Sequence, residues 1–277
     1  MAIIVPRAGE VGDALDRVGF GRFLLVVLLG SAGMISRTAA WQVAIDAAGG
    51  RVRAREAHPA SGASYVVGLL NLYLGVAVRI GVIRRRVPDR SPTTYEQIAA
   101  ESALIVVETA LVGVLLLCAS WTLEVPLAVA LAISVGGLLA AVALVVVARR
   151  FAPARFSAGL AVARQPRALA LVTAAIACTL LLQITRVAVA LDSVGLDTSP
   201  IVIIAVFLAS GLGAILPIGT AAAGAAAPLI AVKHGGNSVA DATAAGVLLS
   251  GALLVSTVGY FAVATGIAAL QDRRAPA

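Results

Sequence analysis

The stretch LAVALAISVGGLLAAVALVVV, residues 127–147, carries no charged side chain from end to end. A helix needs roughly 20 mostly apolar residues to cross a bilayer. Four further stretches of this kind lie at 23–43, 99–117, 168–191 and 246–270. The sequence therefore predicts an all-α fold, a polytopic integral membrane helix bundle with about five full spans.

The composition agrees with a membrane domain at 23–270, after a polar segment at 1–22 and before a short tail at 271–277. Apolar residues make up 60% of the chain, charged residues 13%, and the mean hydropathy is +1.01. Soluble domains carry about 25% charged residues. The net charge of +7 falls in short clusters between apolar runs. This pattern is typical of cytoplasmic loops and gives no reason to expect a nucleic-acid partner.

Two apolar regions are interrupted. Region 62–82 contains Asn71, Arg79 and several glycines, and region 201–232 is too long for one span. The second is broken by a set of helix-disrupting or polar residues: Pro217, Gly219, Thr220 and Gly224. Since lipid cannot satisfy the backbone groups that Pro and Gly release, we expect both regions to be broken or re-entrant. An ordinary span at 62–82 stays open as the alternative.

Charge predicts the orientation. Arginines cluster at 51–55, 84–90, 149–167 and 273–274, whereas the connections 120–125 and 192–200 carry only acidic charges. The positive-inside rule places the arginines in the cytoplasm. Both broken regions must then return to the face from which they enter, the first inside and the second outside. We expect a plasma-membrane protein with its N-terminus outside and its C-terminus in the cytoplasm. Two such regions in matching positions would form an inverted repeat of the transporter type.

Three charged residues within the apolar regions need partners: Arg79, Glu101 and Glu108. A charge in the bilayer core costs at least about 2.5–3.5 kcal/mol on insertion scales. The two glutamates are seven residues apart, two turns along one helix face. We expect Arg79 to pair with one of them. In a functional site, Arg79 would contact a substrate phosphate and Glu108 would release the arginine or carry a proton. A static ion pair is the alternative, and it is the favoured interpretation for Glu101.

Arg37 and Arg186 lie toward the ends of their apolar stretches. Arg37 precedes Trp41, an expected interfacial anchor, by one turn, and Arg186 lies six residues before Asp192. We expect both side chains to snorkel toward the headgroups. Binding of an anionic lipid headgroup is the alternative for both. Asn71 is expected to hydrogen-bond the backbone at the break in 62–82.

The break at Pro217, Gly219 and Thr220 has two possible interpretations. Half-helix N-termini at such a break would favour a phosphate through their dipoles. The alternative is a close-packing device, which suits the small residues of TAAAGAAAP around Gly224.

The chain resembles the transmembrane, flippase-like region of the lysylphosphatidylglycerol synthase family across roughly residues 41–263. The resemblance rests on RTAAWQVAIDAAGG (37–50), GLLNLYLGVAVRIGVIRRR (68–86), AAESALIVVETALVG (99–113) and the segment from Ile215 to Leu254 with its Pro-x-Gly break. Leu74 stands where the family has Pro, and Ala227 where it has Glu. No soluble synthase domain is expected after Ala277, so lipid aminoacylation is not expected of these residues. The resemblance implies movement of a lipid or lipid-linked headgroup between leaflets.

Three function classes remain. The first is a flippase-like carrier of an anionic lipid or polyprenyl-linked headgroup, and the second is a membrane subunit that scaffolds or regulates an envelope enzyme. The third, an enzyme acting on lipid-linked sugar, rests on Asp192 and Asp197. His58 and His234 are far apart, and no phosphate-binding loop is present, so we expect no metal, no cofactor and no direct ATP use. The expected partners are membrane lipids, with a membrane-protein partner or a second copy left open.

Overall fold

The computed structural model describes residues 8–121, 127–151, 153–215 and 238–274. Within these ranges every regular element is a helix, which confirms the all-α prediction. The α-helices, in chain order, are α1 (Ala8–Asp16), α2 (Phe20–Ala47), α3 (Ala54–Gly68), α4 (Leu72–Arg86), α5 (Thr94–Ser120), α6 (Leu127–Phe151), α7 (Pro153–Gly159), α8 (Pro166–Ser193), α9 (Pro200–Ile215) and α10 (Val239–Arg274). A short 3₁₀ helix, Leu160–Arg164, joins α7 to α8.

Four of these helices, α2, α5, α8 and α10, are long and apolar enough to cross a membrane. They cover the stretches predicted at 23–43, 99–117, 168–191 and 246–270, and each extends beyond them. The 28 residues of α2 correspond to about 42 Å of helix, more than a bilayer core of about 30 Å. The chain is therefore a membrane protein. The fifth predicted span, 127–147, lies in the 25-residue helix α6.

Capping side chains set the starts of two helices near the candidate site. The Thr93 hydroxyl accepts from the Glu96 N–H, and the Glu96 carboxylate accepts from the Thr93 N–H, so α5 begins with a capping box. The Asn71 Oδ1 accepts from the N–H groups of Tyr73 and Leu74, at 2.9 and 3.1 Å. Asn71 therefore caps α4, as expected for a side chain that bonds the backbone at a break.

Helices α3 and α4 form an antiparallel hairpin that includes the predicted broken region 62–82 and extends beyond it on both sides. Each has 15 residues, about 22 Å, which is too short for a span. The chain leaves and returns at one place, since the Arg51 N–H donates to the Arg90 carbonyl at 3.0 Å. Near the turn, a Cβ on Gly75 would lie 2.6 Å from the Ser64 carbonyl oxygen. The helix is interrupted between Gly68 and Leu72, inside the region predicted to be broken.

Only the first part of the second broken region, 201–232, lies in the described residues, as α9. The break itself lies outside them, with the candidate residues Pro217, Gly219, Thr220 and Gly224. The second re-entrant segment and the inverted repeat therefore stay predictions.

The chain divides into two compact units. The first comprises Met1–Gly33, Gly62–Val78 and Leu181–Val263, and the second Met34–Ser61, Arg79–Leu180 and Ala264–Ala277. Five helices, α2, α3, α4, α8 and α10, contribute residues to both.

The first unit has an apolar core that includes part of the N-terminal segment. Ala14 of α1 is fully buried there with Val26, Leu191 and Val206. The segment 1–22, predicted as polar and without an apolar core, thus contains a short helix that packs by one face. The charged side chains that are described in this segment are exposed, and Arg17 pairs with Asp241 at 2.5 Å. The predicted boundary at residue 22 is not a structural one, since α2 already begins at Phe20.

Candidate functional site

The second unit contains a chain of ion pairs between α2 and α5. The Arg37 Nη1 lies 2.5 Å from the Glu108 Oε2, and the Arg37 Nη2 lies 3.6 Å from the Glu101 Oε1. Because Glu101 and Glu108 are two turns apart on one face of α5, one guanidinium reaches both carboxylates.

A residue of the hairpin forms the other end of this series of ion pairs. Arg79, on α4, forms a salt bridge through its Nη2 to the Glu101 Oε2. Its guanidinium carbon lies 4.8 Å from the centroid of the Trp41 ring, a cation–π arrangement. The Arg79 Nε is buried and has no hydrogen-bond partner within the described part of the chain. We call Glu108, Arg37, Glu101 and Arg79 the ion-pair chain.

Exposure rises along the ion-pair chain. The side chain of Arg79 is 3% exposed and that of Glu101 9%, whereas Arg37 is 21% and Glu108 33% exposed. Glu108 also lies near the midpoint of α5, and Arg37 lies within the second half of α2. The ion-pair chain is buried at its hairpin end, at Arg79, and partly exposed at its other end, at Glu108. Glu108 lies near the middle of a long apolar helix.

The charges of the ion-pair chain balance. Two guanidinium groups face two carboxylates, and Glu101 is shared between both arginines. A guanidinium has five N–H donors in a fork that suits a carboxylate or a phosphate equally. An anion could therefore replace Glu108 on Arg37 without disturbing the buried pair of Arg79 and Glu101.

The expected pairing of Arg79 with a glutamate is observed, and its partner is Glu101. Glu108, the alternative partner, forms its salt bridge with Arg37 instead. Asn71 acts as the cap of α4, a structural role that its side-chain oxygen fully explains.

The expectation that Arg37 and Arg186 snorkel is wrong. Arg37 turns inward to the two glutamates, and Trp41, expected as an interfacial anchor, is 1% exposed beneath Arg79. Arg186 is buried in the first unit, where it donates to the Gln183 Oε1 at 2.9 Å and to the Leu249 carbonyl at 3.2 Å. A position near a helix end does not by itself direct a side chain toward the headgroups, because packing against neighbouring helices determines where the side chain points.

Sequence reasoning missed the link between Arg37 and Glu108. A signal was present: Arg37 and Trp41 are four residues apart on one face of α2. In the structure, Arg37 contacts α5 and Trp41 contacts Arg79 of the hairpin. Charged residues well inside two long apolar stretches must find each other, and Arg37 is one of them.

The other polar groups considered do not assemble into a reactive site. Among the described residues, no group of three or more His, Cys, Asp or Glu side chains is close enough to hold a metal ion. Asp192 pairs with Arg22 at 3.3 Å, and Asp197 accepts from the N–H and hydroxyl of Ser199. These two aspartates are occupied as surface and helix-start partners.

Comparison with known proteins adds no relative: no family model, no curated protein and no solved structure matches this chain.

Proposed function

We propose that the chain is a flippase-like carrier that moves an anionic lipid or polyprenyl-linked headgroup between leaflets. The observation that supports this most is the pair of Arg37 and Glu108. It lies deep in the apolar helices, and yet a third of the Glu108 side chain is exposed. Charges at bilayer depth are found where they face a water-filled cavity or a substrate path.

The substrate phosphate would take the place of Glu108 on Arg37. A bidentate guanidinium–phosphate contact is stronger than a neutral hydrogen bond by roughly twofold. Glu101 would keep Arg37 oriented during the exchange, because it contacts the second guanidinium nitrogen at 3.6 Å. The buried pair of Arg79 and Glu101 serves as a fixed anchor.

The hairpin of α3 and α4 fits a carrier as well. Each of its two helices is too short for a span, and a broken backbone at membrane depth is found only against protein or a hydrated cavity. The resemblance to the lysylphosphatidylglycerol synthase transmembrane region points to the same class of substrate.

A scaffold subunit is the second candidate, because a fully balanced set of charges also suits a static structural role. The enzyme alternative has less support, since Asp192 and Asp197 already have partners.

Reconstitution into liposomes distinguishes the carrier from the scaffold. Fluorescent phosphatidylglycerol in the inner leaflet is protected from a membrane-impermeant quencher until it is exchanged. We expect the wild-type protein to expose it, and Arg37→Gln to slow the exchange by about tenfold or more, as for a lost charge-assisted contact worth ~1.4 kcal/mol or more. Glu108→Gln should retain exchange, because the neutral side chain no longer competes with the phosphate for Arg37.

Arg55→Gln is the matched control, because Arg55 pairs with exposed Asp272 at 3.7 Å, away from the ion-pair chain. It should exchange lipid as the wild type does. No exchange in wild-type liposomes, or equal exchange by a folded Arg37→Gln protein, would favour the scaffold.

A further inference from the structure

The second unit contains a polar cavity of about 500 Å³ at the base of the hairpin. Its walls come from the end of α2, the connection to α3 and the residues after α4. Three arginines, Arg51, Arg53 and Arg90, line it together with Gln42, Asp46 and the backbone of Gly50. Volumes of about 300–1,000 Å³ are usual for small-molecule sites.

The walls of this cavity are held by specific contacts. The Gln42 Nε2 donates to the Val52 carbonyl at 2.9 Å, and the Arg51 N–H donates to the Arg90 carbonyl at 3.0 Å. Gly50 has no room for a side chain, since a Cβ there would lie 2.7 Å from the Ile45 Cγ2 and 2.8 Å from the Pro92 Cγ. These contacts therefore fix the conformation of the connection between α2 and α3.

The lining has an excess of positive charge. Arg51 and Arg53 are exposed, and no carboxylate of the described residues lies within salt-bridge distance of either. Arg90 reaches only the Glu56 Oε1, at 3.8 Å, and Glu56 also binds the Arg53 N–H at 2.8 Å. Asp46 is the one acidic residue in the lining.

We propose that this cavity binds the phosphate of an anionic lipid headgroup. Arginine forks match phosphate oxygens in pairs, and basic pockets between membrane helices on the cytoplasmic side take such headgroups. Arg51 and Arg53 bind the phosphate, and Arg90, which follows α4, closes the site from the opposite wall at the same end of the hairpin. Asp46 accepts a hydrogen bond from a hydroxyl of the headgroup, which fits a phosphoglycerol. This binding requires no transport and does not depend on the carrier function proposed above.

The test is equilibrium binding to the purified full-length protein in uncharged detergent. Phosphatidylglycerol, phosphatidylcholine and inorganic phosphate are titrated separately, and binding is followed by the shift in thermal unfolding. We expect saturable stabilisation by phosphatidylglycerol, and at least about tenfold weaker binding by the Arg51→Gln/Arg53→Gln protein, since each variant removes a charge-assisted contact. Arg85→Gln/Arg86→Gln is the control, because it removes the same charge from exposed positions of α4 outside the cavity. It should change the affinity by less than about twofold, as expected for screened surface charges.

Equal weakening by both double variants would overturn the site and leave only diffuse attraction to a basic surface. Inorganic phosphate that binds as tightly as the lipid would overturn the lipid assignment in favour of a soluble phosphate. Should the glutamine variant fail to fold, Arg51→Lys/Arg53→Lys keeps the charge but loses the paired geometry, and it should still weaken binding. Wild-type affinity in the folded lysine variant would count against the proposed phosphate contacts.

Discussion

Arg79 and Arg186 are both buried in apolar helices, and their surroundings are opposite in kind. Arg79 faces the carboxylate of Glu101 and the ring of Trp41. Arg186 has only neutral acceptors, the Gln183 side chain and the Leu249 carbonyl, and its Nε is without a partner among the described residues. The burial cost of a charge is offset in the first case and not in the second.

The first prediction concerns Arg79→Met. The substitution leaves Glu101 with only the 3.6 Å contact to Arg37, and breaking a buried pair typically costs about 3–5 kcal/mol. The midpoint of thermal unfolding in detergent should fall. Adding Glu101→Gln should recover part of the loss, because no buried carboxylate then remains unpaired. A double variant no more stable than the single one would show that the pair does not stabilise the fold.

Arg186→Met should act in the opposite direction. It removes a buried charge with no carboxylate among the described residues within salt-bridge distance, at the loss of two hydrogen bonds from the guanidinium worth about 1.5–3 kcal/mol each. The same thermal measurement should give a midpoint at or above that of the wild type. A fall as large as that of Arg79→Met would mean that Arg186 has a strong anionic partner in the folded protein.

Some of the residue-scale chemistry was accessible from the sequence. A charge inside an apolar stretch must be paired, and this reasoning found Arg79 and the two glutamates. It could not choose between Glu101 and Glu108, because that choice depends on how α2 and α4 approach α5. The same limit explains the wrong predictions for Arg37 and Arg186. They were based on the position of each residue along its helix and not on the direction in which its side chain points.

At the scale of elements, hydropathy located the long helices and the interruption at 62–82. It did not show that α3 and α4 lie side by side, because that depends on contacts such as Gly75 against Ser64. Helix α1 escaped notice, since a nine-residue helix with three acidic residues has no long apolar signal. Local sequence patterns thus predict where helices begin and are interrupted. Tertiary contacts determine how the helices on either side of an interruption pack.

Two glycines of α4 provide a matched test of the hairpin. A Cβ on Gly75 would lie 2.6 Å from the Ser64 carbonyl oxygen, whereas one on Gly81 would meet nothing within 4 Å. Gly81→Ala should raise stability by roughly 0.5–1 kcal/mol, the usual gain in a helix interior. Gly75→Ala should lower it, because α3 and α4 must separate. Thermal unfolding of both proteins in one detergent measures the difference, and equal stabilisation by both substitutions would rule out close packing of the hairpin.

At the scale of the whole molecule, the polar contacts sort the helix ends into two groups. In the second unit, Arg55 pairs with Asp272, and the Gln165 Nε2 donates to the Ala47 carbonyl at 3.3 Å. These contacts join the ends of α2 and α10 to the starts of α3 and α8, all of which are predicted to be cytoplasmic. In the first unit, Arg22 joins the start of α2 to the end of α8, where both are predicted to be external.

Cysteine labelling in intact cells and in inverted vesicles tests that orientation. Cys118 and Cys178 are exposed free thiols and must be replaced first. Single cysteines at Arg53, Arg85 and Arg273 should then react only from the cytoplasmic side, by the positive-inside rule. A cysteine at Thr198 should react only from outside; this exposed position avoids neighbouring Gly195, whose φ of +80° disfavours a side chain.

The decisive comparison is between positions 53 and 85. The Arg51 N–H is bonded to the Arg90 carbonyl, so the segment that holds α3 and α4 begins and ends at one place. Both positions must therefore label from the same face, whichever face that is. Labelling of the two from opposite faces would mean that the segment crosses the bilayer once in the cell. The hairpin, the second re-entrant region and the inverted repeat would then fail together, because the parity of the remaining spans depends on that return.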